Sequence, residues 1–183
     1  MKNLSFIVII LFIGLPSCKK ENVSTISDIY WGEVSATKNG EPWTGKIFAR
    51  LSGTRFNVIV DVYNEQEFLR EVFRIFKIPI QEQWNKIDSI KPNVDTALTR
   101  ASYATLVDDG DVVGDIFNVL EGDSENFVTI TSYNEETNEV KGNFQVTFVF
   151  DETDSKSDPT APDTIRFTNG EFYTKVMSEL LNK

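Results

Sequence analysis

The chain has 183 residues, with 28 Asp plus Glu against 18 Lys plus Arg, a formal net charge of −10, one cysteine and no histidine. The missing imidazole excludes Ser-His-Asp and Cys-His nucleophile systems, His-based zinc sites and imidazole acid–base chemistry near neutral pH. The acidic balance argues against nucleic acid, whose phosphate backbone needs clustered Lys and Arg, and against direct binding of anionic lipid headgroups.

The chain opens Met-Lys-Asn and then runs through an apolar stretch from Leu4 to Leu15. A short basic start followed by about a dozen apolar residues has the form of a signal peptide. It is shorter than the roughly 20 apolar residues a membrane-spanning helix needs. The run ends Leu15-Pro16-Ser17-Cys18, at the chain's single thiol. Leucine at −3 and a small residue at −1 resemble the lipobox of bacterial lipoproteins, although Pro16 replaces the more usual Ala, Ser or Thr. The resemblance implies that Cys18 becomes the first mature residue, with diacylglycerol on its sulfur and a further acyl chain on its amine. Two or more chains give stable anchoring where one gives marginal binding. The competing reading is an ordinary secreted protein with a chance cysteine near its cleavage site. A redox or metal role would need a second Cys or a His, and the chain has neither.

Residues 1–17 are therefore expected to be removed and residues 18–29 to form a lipidated polar tether, with residues 30–183 as one β domain. The leader carries one lysine and no acid, so processing moves the net charge from −10 to −11. Lys19 stands where an inner-membrane retention aspartate would stand, which favours the outer membrane and leaves the facing side open.

After the tether the chain reads as β. Asn39-Gly40 joins two extended runs and is the strongest short hairpin signal. Phe56, Val58, Val60 and Val62 alternate on one face of a strand. Residues 69–80 alternate less regularly; Glu65 to Phe76 carries some 3.6 periodicity that admits a helix, but the Val, Ile and Phe content favours strand. Residues 81–99 lack a period and read as a long connection with one helical turn. Further strands follow at 100–108, 112–120 and 126–134. The cleanest is 138–150, with Phe144, Val146, Phe148 and Phe150 on one face. After an acidic loop, residues 164–176 form a last strand pair or a bulged strand around Asn169-Gly170, and the tail suggests a helical turn or two. Eight to ten short strands predict a single antiparallel β-sandwich or partly open barrel. About 150 residues suffice for a core without disulfides.

Several of these pieces, "SATKNGEPW", "VTITSYNEETNEVKGNFQVTF" and "DTIRFTNGEF" after a lipobox and tether, resemble a family of Bacteroidota cell-envelope lipoproteins with a β-rich domain of unassigned function. The likeness covers residues 31–50 and 126–175. It rests on turns and aromatic core positions, so it implies a location and carries over no catalytic residue.

The acidic loop holds Asp151, Asp154 and Asp158, the candidate ligands for calcium, which takes six to eight oxygens. Its spacing fits no EF-hand, and Pro159 and Pro162 favour a solvated turn. No other cofactor is expected. Residues 108–111, Asp-Asp-Gly-Asp, read as a tight turn. Among the aromatics, Trp84, Trp43 and Tyr103 are the candidates for a ligand-stacking platform; Trp43 has the stronger claim to the core and Trp84 to the surface. Carboxylate pairs 5–9.5 Å apart, as glycoside hydrolysis requires, arise by chance among 28 acids and carry no signal. The sequence points to a non-catalytic, lipid-anchored module that binds an envelope protein or glycan. The alternatives are a carrier of a small apolar ligand inside a partly open barrel and a carboxylate-dependent glycan hydrolase.

Overall fold

A computed structural model describes residues 29–89, 98–153 and 155–177. Cys18, the leader, nearly all of the tether and Asp154 lie outside the described residues, as does most of the C-terminal tail for which helical turns were expected.

Strands β1 (Gly32–Lys38) and β2 (Glu41–Thr44) form the expected hairpin. Asn39 and Gly40 sit at φ 50° and 92°, the double positive φ that a two-residue I′ turn demands. Strands β3 (Lys46–Ser52), β4 (Arg55–Tyr63) and β5 (Leu69–Pro79) follow as an antiparallel meander. The imperfect alternation of β5 has a local cause. Its register against β4 shifts between Phe56 and Val58, and Lys77 stands at φ 59° in the resulting bulge. The remaining strands are β6 (Trp84–Lys86), β7 (Arg100–Val107), β8 (Val112–Val119), β9 (Phe127–Asn134), β10 (Glu139–Phe150) and β11 (Thr164–Met177). Residues 164–177 are thus one long bulged strand, with Asn169 at φ 51° at the bulge.

Over the described residues the fold is all-β, with eleven strands where eight to ten were expected. One layer runs β2-β1-β11-β10-β9-β6 and the other β3-β4-β5-β7-β8. They join at two corners. At one, residues 148–150 of β10 pair with residues 117–119 of β8. At the other, Val176 and Met177 of β11 pair with Ala49 and Arg50 of β3. This last pairing is parallel; every other strand pairing among the described residues is antiparallel. Seven strands, β3-β4-β5-β7-β8-β10-β11, therefore close a hydrogen-bonded ring, while β1-β2 and β9-β6 extend from it as wings. The molecule is a sandwich whose two corners close it into a barrel.

The space between the layers is packed with Val, Ile and Ala side chains around a cluster of rings. Phe73 of β5 meets Phe144, Phe148 and Phe167 at centroid distances of 5.1, 5.9 and 5.1 Å, and Trp43 at 5.7 Å. Offset and edge contacts at these distances add to the apolar burial of each ring.

Candidate functional site

The two long strands β10 and β11 carry the same short motif, Gly142-Asn143-Phe144 and Gly170-Glu171-Phe172. Their antiparallel register pairs Gly142 with Phe172 and Phe144 with Gly170. Each buried phenylalanine lies over the opposing glycine, where a side chain would collide. A Cβ on Gly142 would stand 2.5 Å from the Phe172 ring, and one on Gly170 would stand 2.6 Å from the Phe144 ring. Alternation then forces the middle residues, Asn143 and Glu171, to the outer face, directly opposite each other.

That outer face is the floor of an open groove of about 600 Å³. Pairing registers arrange its polar side chains in two rows across the strands. One row is Thr44, Ser35, Glu171 and Asn143, from β2, β1, β11 and β10. The second is Glu33, Tyr173 and Lys141. No hydrogen bond among the described residues engages the Asn143 amide or the Glu171 carboxylate, so both remain open to a ligand. One flank is aromatic. Trp31, 37% exposed, meets Tyr173 edge-on at 5.1 Å, Lys175 lies over the Trp31 ring at 4.4 Å, and Lys141 lies over the Tyr173 ring at 4.9 Å. Tyr173 donates to Glu139 at 2.8 Å. That bond holds the Glu139 carboxyl below its ordinary range and the Tyr173 phenol above its own.

The candidates named from sequence fall elsewhere. Trp43 and Tyr103 are buried, at 5% and 2% exposure. They share a polar centre between the layers: Trp43 Nε1 donates to Glu71 at 2.9 Å, Lys38 Nζ pairs with Glu71 at 2.5 Å, and Lys38 lies 3.4 Å from the Tyr103 hydroxyl. Burial, and then the adjacent Glu71 carboxylate, push the Tyr103 phenol well above its ordinary value. Trp84 is 55% exposed and lies on β6, at the opposite edge of its layer from β2, which carries Trp43. It stacks on Phe127 at 6.4 Å. The structure therefore brings Trp43 and Tyr103 together in the core and holds Trp84 apart.

In the acidic loop, Asp151 accepts from the Thr153 amide and hydroxyl and from Asn118, and Asp158 accepts from the Thr160 amide and hydroxyl. The Thr153 and Thr160 bonds hold the two carboxyls below their ordinary range. Among the described residues no three acidic or thiol side chains gather as a metal site would require. Asp108–Asp111 forms the β7–β8 turn, with Asp108 at φ 54° and Gly110 at φ 92°.

Sequence reasoning missed the groove because outer-face neighbours are defined by register, which pairs strands far apart in the chain. The repeated Gly-x-Phe was the available signal, since its middle residue must face away from the core. No family model, curated protein or solved structure matches the chain.

Proposed function

We propose that the chain is a lipid-anchored cell-envelope domain, non-catalytic, that holds an envelope component in the outer groove. The groove carries this reading: it gathers polar side chains from four strands, leaves the central amide and carboxylate open, and lies in the size range of ligand sites. The anchor is supported by the Leu-Pro-Ser-Cys end of the apolar leader and by the absence of any partner that would give Cys18 another chemistry. Binding at the outer face is also the reading most compatible with the interior, where Phe73, Phe144, Phe148 and Phe167 occupy the space a barrel carrier would offer its ligand.

The anchoring half is tested by replacing Cys18→Ala in the full chain and fractionating cells. Wild type should sediment with outer membrane and label with a palmitate analogue, and the variant should lose both properties. A variant that remains as membrane-bound as wild type overturns the anchor.

A further inference from the structure

We infer that the groove's ligand is a neutral saccharide chain lying across the strands, along the row Thr44, Ser35, Glu171 and Asn143; this rests on the groove being the binding site. The row crosses four neighbouring strands, so at the usual inter-strand spacing it spans about 14 Å, and Thr131 at the β9–β10 register shift also lines the groove. It presents two hydroxyls, a carboxylate and an amide at regular intervals. Such a row suits a ligand whose own groups donate and accept at every position, as sugar hydroxyls do.

The competing ligand classes fit less well. A peptide added as a strand needs a free sheet edge. Here β1, β11 and β10, the strands beneath the row's centre, each pair on both sides, so their backbones are already committed. An apolar small molecule asks for a mostly apolar lining. Among the outward side chains here Tyr173 is the one aromatic, and the rest, Glu33, Glu171 and Lys141 among them, are charged or polar. Anionic polymers meet Glu33 and Glu171 in the middle of the floor, against one lining lysine that already lies over the Tyr173 ring. Beside the groove, Trp31 is 37% exposed even with Lys175 over its ring and Tyr173 against it, and that exposed part adds an apolar surface at the flank.

The test uses the full chain purified in detergent and titrated calorimetrically with linear hexasaccharides of glucose and of mannose, oligogalacturonate as the anionic control and a polar hexapeptide as the peptide control. At least one neutral hexasaccharide should bind. Asn143→Ala with Glu171→Ala should weaken that binding about tenfold or more through loss of one charged and one neutral acceptor. Val113→Ala, on the other layer, should leave it unchanged. Both groove side chains are exposed, and matching thermal transitions would confirm that the variants fold. Binding by none of the neutral chains, binding only by oligogalacturonate or the peptide, or binding indifferent to the double variant overturns the inference. If the double variant instead loses retention of a protein from solubilised envelope while no saccharide binds, the groove stands as the binding site and the saccharide assignment falls.

Discussion

Glu71 occupies the same inward phase of β5 as the buried Phe73 and Ile75, and Lys38 shares the inward phase of β1 with Val34 and Ala36. A charge on an apolar face costs free energy unless it is paired and hydrogen-bonded. Glu71 meets that requirement by accepting from both Lys38 and Trp43. Replacing Glu71→Leu removes the acceptor, leaving the Trp43 indole N–H unpaired and the Lys38 ammonium with only the Tyr103 hydroxyl at 3.4 Å. Breaking a fully buried pair costs about 3–5 kcal/mol, and solvent reaches part of this one, so the expected loss is about 2 kcal/mol. Glu71→Gln keeps an acceptor for Trp43 and should lose less. Urea unfolding of the three proteins checks the order, and a Glu71→Leu protein as stable as wild type would refute it. Two charges on inward phases are visible in the sequence. What hid their pairing was the bulge at Lys77, which blurs the alternation of β5 and with it the assignment of its faces.

At the scale of the element, β10 and β11 form the ribbon on which everything else is hung, and its two Gly–Phe pairs are not equivalent. The three atoms nearest a Cβ on Gly170 all belong to the Phe144 ring, whereas a Cβ on Gly142 would also strike the Thr129 backbone oxygen at 2.5 Å. A side-chain obstacle can be cut away and a backbone one cannot. Gly170→Ala should therefore cost about 1–3 kcal/mol by overpacking, and Phe144→Leu in the same chain should return part of it. Gly142→Ala should be rescued much less by Phe172→Leu. Double-mutant cycles measure this difference, with a coupling of at least about 0.5 kcal/mol expected for the first pair. Equal coupling in both cycles would mean that the ring contact is not what fixes glycine there. These elements were largely legible from sequence. The Asn39-Gly40 hairpin, the alternation of Phe56, Val58 and Val60, and that of Phe144, Val146 and Phe148 follow from period-two patterning and turn chemistry. Less legible was that 164–177 is a single strand, because a bulge at Asn169-Gly170 and a turn there use the same residues. The groove was not legible, since its two rows exist only once β1, β2, β10 and β11 are in register.

At the scale of the whole molecule, closure depends on a short seam. β11 pairs with β10 over most of its length, but it meets β3 through only Val176 and Met177. Tyr30 and Trp31, at the N-terminal end of the described fold, reinforce that seam. Trp31 donates its amide to Ile47 O of β3 at 3.0 Å, and its carbonyl accepts from Thr174 Oγ1 of β11 at 2.6 Å. The neighbouring side chains divide between the layers: Tyr30 packs on Phe48 and donates to Asp61 Oδ2 at 2.6 Å, while Trp31 packs on Tyr173. Local openings start where few buried contacts and hydrogen bonds must break, so the seam should open before the β4–β5 ladder. Thr174→Val removes one bond across it without adding bulk. The Trp31 amide should then exchange with solvent about fivefold faster, the equivalent of roughly 1 kcal/mol for one hydrogen bond, while amides of the β4–β5 ladder keep their wild-type rates. Native-state hydrogen exchange read residue by residue by NMR decides this. A uniform acceleration would mean that the barrel opens as one unit, and an unchanged Trp31 amide would mean that residues 30–31 join a closure already held by β3 and β11 alone.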